Sequence, residues 1–203
     1  MRSLVLREDL LDEPDQLDAA DPDGMLRAVM GAPAQFREAV TTATEAGLDE
    51  VADAGRPRAV VVAGMGGSGI AGDVLAAVAG PYAPVPVTTH RGYGLPGWVG
   101  PADVVVAVSC SGRTEETLSA AEEAVRRGAR IVTVGLDGSP LADLGARGRG
   151  VHVAVPGGRM PRASLWALSV PLVVLADRLG VLRVSAAELD AAAGLLDELT
   201  ERY

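Results

Sequence analysis

Five short β-branched runs with apolar residues on both faces alternate with mostly helical text between Arg58 and Val155. They read RAVVVA (58–63), PVPVTTH (84–90), DVVVAVS (103–109), RIVTVGL (130–136) and VHVAV (151–155). A strand without a polar face has to be covered on both sides, which is the condition of a parallel sheet whose crossovers lay helices above and below it. The segments IAGDVLAAVA, TEETLSAAEEAVRRG and SPLADLGAR supply those crossovers, and such connections are right-handed. The pattern predicts an α/β fold: a three-layer αβα sandwich around a five-stranded parallel sheet, doubly wound in the flavodoxin-like manner, with extra helices at both ends.

The flanks are helical. DPDGMLRAVMGAP and AQFREAVTTATEAGLDEVAD predict two helices within residues 21–55, the first with aspartates capping it ahead of Met25, the second stopped by Gly55 and Pro57. From Arg162, ASLWALSVPLVVLADRLG and SAAELDAAAGLLDELTERY predict two more, within 162–203. Residues 1–20 read as an acidic lead-in and 21–203 as one domain. The helix over 163–180 is hydrophobic on all sides, which points to burial against a partner subunit or a further domain.

Composition narrows the chemistry. Apolar residues are 48% of the 203 but aromatics only 3%, so the core must be Ala, Val and Leu. The net charge is −9 and all 18 basic residues are arginines, which removes Schiff-base and P-loop lysine chemistry. An acidic chain is poorly suited to nucleic acid or an anionic membrane, whereas one arginine with backbone amides suffices for a small anion. The single cysteine, Cys110, forms no intrachain disulfide and fits a reducing cytoplasm. The opening MRSLVLREDLLDEPDQLD lacks the apolar centre of a secretory signal, and no apolar stretch reaches membrane-spanning length. A cytoplasmic location is expected, with no nucleic-acid or membrane partner.

Ligands of such sheets sit beyond the carboxyl ends of the strands, and two loops there are chemically unusual. AGMGGSGIAGD (63–73) places Gly64, Gly66 and Gly69 in the G-x-G-x-x-G spacing ahead of a helix. A dinucleotide site also needs a carboxylate at the end of the next strand, where this chain has His90 and Arg91; Arg91 would suit only a 2′-phosphate. The second loop, SCSGRTEET (109–117), carries four hydroxyls in nine residues at a strand-to-helix junction. One hydroxyl suffices for an N-cap. Ser109, Ser111 and Thr114 beside the free amides of a helix start instead suit a phosphate.

Together, the two loops resemble the sugar isomerase (SIS) domain family. Within it, GMGGSGIAGD, RGYGLPGWVG (91–100), SCSGRTEET, PRASLWAL (161–168) and DPDGMLRAV are similar to the bifunctional phosphoglucose/phosphomannose isomerases over roughly residues 20–180. That resemblance implies a hexose 6-phosphate ligand, no cofactor and no metal. Ser109, Ser111, Gly112 and Thr114 would hold the phosphate, with Arg113 in the same turn, while Gly66, Gly67 and Ser68 line the sugar. Arg162 would stabilise an enediolate, since a fixed cation lowers the cost of a developing oxyanion. Two departures stand out. Arg113 occupies a position usually held by asparagine, and the family carries two tandem SIS units, the second supplying the base glutamate, a histidine and a lysine. The chain is therefore expected to be the phosphate-binding half of such an isomerase. A self-sufficient isomerase completed by a homodimer, or a sugar-phosphate sensor, are the other expectations. Among local residues, His90 is the candidate for sugar-ring opening. His152 is expected to be structural, Glu115 and Glu116 solvated, Cys110 turned toward the core, and Trp98 and Trp166 packing residues.

Overall fold

The computed structural model describes residues 13–202, so most of the expected lead-in lies outside the described residues. Five parallel strands, β1 (Val60–Gly64), β2 (Val87–His90), β3 (Val104–Ser109), β4 (Arg130–Leu136) and β5 (Val151–Val155), lie in the order β2-β1-β3-β4-β5. Every residue of β1 and β3 is buried, as their unbroken valine runs require. The edge strands are less covered: β2 is half-buried to exposed, and β5 alternates buried with half-buried. β2 is shorter than its apolar text because Pro84 and Pro86 cannot donate to a ladder.

Helices α1 (Pro14–Ala20), α2 (Met25–Met30), α3 (Ala32–Glu45) and α4 (Asp49–Ala52) precede the sheet. The expected single helix over 34–53 is interrupted, because Gly47 adopts φ +80° and ends the α-helical run. Aspartate does act ahead of Met25, with Asp21 accepting from the Leu26 amide at 2.7 Å. α5 (Gly66–Ala79), α6 (Glu115–Arg127) and α7 (Pro140–Arg147) follow β1, β3 and β4, and α8 (Leu165–Arg178) and α9 (Ala186–Arg202) close the chain.

Two cores result. On one face Val60, Val62, Val104, Val106 and Val134 meet α3, α5 and α8; on the other Val61, Ala63, Val105, Ala107 and Ile131 meet α6 and α7. At about 25 cal/mol per Å² of apolar surface, each buried valine contributes on the order of 1.5–2 kcal/mol. The α8 helix corrects one expectation. Residues Ala167–Ala176 are all buried, but between α3, α5 and the sheet of the same chain rather than against a partner. The large apolar side chains left exposed lie elsewhere, including Ile70 and Val78 on α5.

At the amino end of β3 the fully buried Asp103 carboxylate accepts Arg58 Nε at 2.9 Å, Arg58 Nη2 at 2.6 Å and the Gly100 amide at 2.8 Å. Burial pushes the Asp103 carboxyl up, but the Arg58 guanidinium and the Gly100 amide outweigh it and hold it below its usual range. A carboxyl lowered in the folded state contributes stability above its unfolded value, about 3.9, and loses it as pH falls through the folded value. Urea unfolding should find Asp103→Asn less stable at neutral pH by about 2–3 kcal/mol. The gap to the parent should narrow as the pH falls below the carboxylate range.

Candidate functional site

Strand order reverses between β1 and β3, and both deliver their carboxyl ends directly into helices at that point. Among the described residues, no side chain caps either helix. The N-cap of α5 is Met65, and the N-cap of α6 is Thr114, whose side chain makes no cap bond. By contrast Ser139 caps α7 in the ordinary way, accepting from the Ala142 amide at 3.3 Å. The first amides of α5 and α6, including those of Gly66, Gly67, Glu115 and Glu116, therefore stand without helical acceptors at the positive ends of two helix dipoles.

The hydroxyls read from the sequence as phosphate ligands turn toward one another rather than capping α6. Ser109 Oγ lies 2.9 Å from Thr114 Oγ1 and 3.5 Å from Ser111 Oγ, and Ser111 Oγ accepts from the Arg113 amide at 3.3 Å. Ser109 is buried and Ser111 exposed, so the cluster runs from the sheet end to the surface. Gly112 makes the turn at φ +64°, and a Cβ there would collide with Ser139 Oγ. Its carbonyl accepts from Leu141, tying the loop to α7.

Two further segments close on this loop. Ser68 of α5 accepts from the Cys110 amide at 3.2 Å. Cys110 Sγ lies 3.7 Å from Ser164 Oγ, in the turn that follows the 3-10 segment Pro161–Ala163. A Cβ on Gly67 would come within 3.3 Å of the Pro161 carbonyl, so the glycine lets α5 and this turn touch. Gly66, Gly67, Ser68, Ser109, Ser111, Gly112 and Thr114 are thus gathered in one place, with Arg162 on the adjoining turn. Arg113 and Arg162 are both exposed and make no ion pair among the described residues. Arg91 is different: it pairs with Asp73 and donates to the Gly69 carbonyl, which occupies the cation a 2′-phosphate would need.

His90 lies on the α6 side of β2, in register with Ala63. Its Nε2 is buried without a partner among the described residues and packs beneath Gly92, where a Cβ would be 3.9 Å away. Both nitrogens of His152 face inward: Nδ1 meets Thr133 Oγ1 at 2.9 Å, Nε2 is buried, and desolvation lowers its pKa. Glu115 is exposed and accepts from Tyr93 Oη at 3.2 Å. Trp166 packs on Phe36 with ring centroids 5.5 Å apart, and Trp98 lies beneath the Arg58 guanidinium.

Sequence reasoning passed over two residues that shape this region. Gln35 of α3 is 1% exposed, donates to Ala163 O at 2.8 Å and accepts the Trp166 and Ala167 amides at 2.9 Å each. Glu123 accepts from the Leu95 amide at 2.7 Å and from Arg127, whose guanidinium also donates to the carbonyls of Leu95, Pro96 and Val99. The i,i+4 spacing of Glu123 and Arg127 was visible in the text. Their backbone targets were not.

The comparisons with known proteins bear on this geometry. Residues 56–155 match the SIS domain family model. They belong to the SIS domain family. The chain is 35% identical over 144 residues to a bifunctional phosphoglucose/phosphomannose isomerase of Caldicellulosiruptor bescii, covering 71% of this chain and 42% of that protein. It is 37% identical over 140 residues to the protein so named in Thermoplasma acidophilum, covering 69% and 41%. The chain therefore spans about two fifths of the length of the curated relatives it matches. The C-terminal domain of glucosamine-fructose-6-phosphate aminotransferase from Francisella tularensis shares the fold, with a TM-score of 0.64 at 16% identity over 87% of this chain and 54% of that one.

Gly112→Ala tests the loop. It should cost about 1–3 kcal/mol in urea unfolding, because the residue cannot keep its left-handed φ without strain and displaces the Ser139 cap. A change below about 0.5 kcal/mol would mean that the turn relaxes freely.

Proposed function

We propose that this SIS chain binds the phosphate of a hexose 6-phosphate in the 109–114 loop and forms the phosphate-binding half of an aldose–ketose isomerase. One observation carries the reading: Thr114 leaves α6 uncapped and bonds Ser109, whose hydroxyl also meets Ser111. A helix start with free amides and a ring of hydroxyl donors is matched to a tetrahedral dianion. Ser109, Ser111, Gly112 and Thr114 then bind the phosphate, and the unpaired Arg113 adds charge at its mouth. Gly66, Gly67 and Ser68 run along the sugar.

Isomerisation moves a proton from C2 to C1 while the carbonyl moves from C1 to C2. It is internally redox-neutral, and what it needs is a base and a stabilised oxyanion. Arg162 is assigned the oxyanion, as its exposed and unpaired guanidinium permits. The base is assigned to a second SIS unit, consistent with the 41–42% of the relatives' length spanned here. That unit is either more of a longer chain or a second copy in a homodimer. The reading takes the activity to be cytoplasmic, as the single free cysteine suits. For His90 to open the sugar ring, the turn at Gly92 would have to lift from its Nε2.

Calorimetric titration tests the reading. Fructose 6-phosphate should bind while free fructose does not, and Thr114→Val should weaken the phosphorylated sugar about tenfold or more, the worth of one hydrogen bond to a charged group. Equal affinity for the sugar and its phosphate would defeat the proposal. Efficient turnover by the isolated chain as a monomer would defeat the assignment of the base to a second unit.

A further inference from the structure

We infer that Gln35 is a positioning residue for Arg162. This rests on the role given to Arg162 above, and it arises from how the turn carrying that arginine is held. α8 begins immediately after the turn, and its N-cap residue, Ser164, does not cap it: Ser164 Oγ donates to the Met160 carbonyl at 2.9 Å, closing its own turn. The two α8 amides that a serine N-cap would ordinarily serve are those of Trp166 and Ala167. Both are taken by Gln35 Oε1, at 2.9 Å each, from a helix 131 and 132 residues earlier in the chain.

The other end of the same amide group donates to the Ala163 carbonyl, one residue from Arg162, at 2.8 Å. One buried side chain therefore fixes both the start of α8 and the carbonyl next to the arginine. The donor and acceptor geometry also settles which end of the amide is which, since only the nitrogen can donate to Ala163 and only the oxygen can accept two N–H groups. On its remaining sides the turn meets Gly67 at Pro161 and Cys110 at Ser164, the first from the segment assigned to the sugar and the second from the phosphate loop.

Arg162 itself is exposed and makes no ion pair among the described residues. No hydrogen bond or ion pair among the described residues holds the guanidinium, so its position is set by its backbone. A long side chain on a loose turn loses the fixed placement on which oxyanion stabilisation depends. Gln35 thus acts on the reacting atoms through another residue, at a distance, and touches no ligand.

The test compares two ligands that share a phosphate. Arabinonate 5-phosphate carries a carboxylate where the enediolate oxygens would form; arabinitol 5-phosphate carries an uncharged hydroxymethyl there. The parent chain should prefer the carboxylate ligand by about tenfold or more, as expected of one charge-assisted pair, and Arg162→Ala should remove the preference. Gln35→Met should reduce the preference at least about threefold while leaving arabinitol 5-phosphate affinity unchanged. Gln35→Glu keeps the acceptor for Trp166 and Ala167 but turns a carboxylate oxygen, an acceptor, toward the Ala163 carbonyl; it should reduce the preference as well, and it decides the matter if the methionine variant does not fold. A lower melting temperature with the preference intact in the folded variants would overturn the inference and leave the Arg162 role standing. No preference in the parent chain would overturn both.

Discussion

The valines of β1 and β3 cannot face water on either side, and satisfying them shapes everything that follows. Val61 and Val105 need one helical layer while Val60, Val62, Val104 and Val106 need another, so the chain must cross above and below a sheet kept parallel. With β1 and β3 adjacent at the centre, their two following helices depart to opposite faces from neighbouring points. The cleft between those departures is the place where the backbone must present unpaired amides, whatever the side chains are.

What this sequence adds is restraint at that cleft. Glycine at 66 and 67 keeps the start of α5 bare, and Gly67 lets the Pro161 turn approach closely. Thr114 gives its hydroxyl to Ser109 instead of to its own helix. Capping is left to Ser139 on α7 and to Gln35 at α8, outside the cluster of hydroxyls. The site can thus be read as two helix ends kept open and two neighbouring ones closed. An anion placed there would meet dipoles and donors that are already oriented, in a chain whose net charge of −9 would otherwise repel it.

Much of this was legible in the text. The five β-branched runs correspond to the five strands, and the hydroxyls of SCSGRTEET were recognisable because they exceed what a cap requires. What could not be read was decided by tertiary placement. The all-apolar helix 163–180 looked like an interface, but its burial depends on α3 and α5 reaching it from distant parts of the chain. The break at Gly47 was written only as a glycine near the end of an amphipathic run. Gln35 drew no reading from the sequence, because its three partners lie about 130 residues away. His90 pointed to the site by strand position, yet the packing of Gly92 over its ring depends on how the 91–94 turn folds back.

On the proposed reading a sugar phosphate sits at the junction of β1 and β3, its phosphate in the 109–114 loop at the open start of α6 and its sugar along residues 66–68. Amide chemical-shift mapping of the ¹⁵N-labelled chain during titration with fructose 6-phosphate tests it most directly. The largest shifts should fall on residues 66–68 and 111–117 and saturate together. Shifts concentrated at the opposite end of the strands, around Arg130 and Arg149, with the 111–117 amides unmoved, would contradict it.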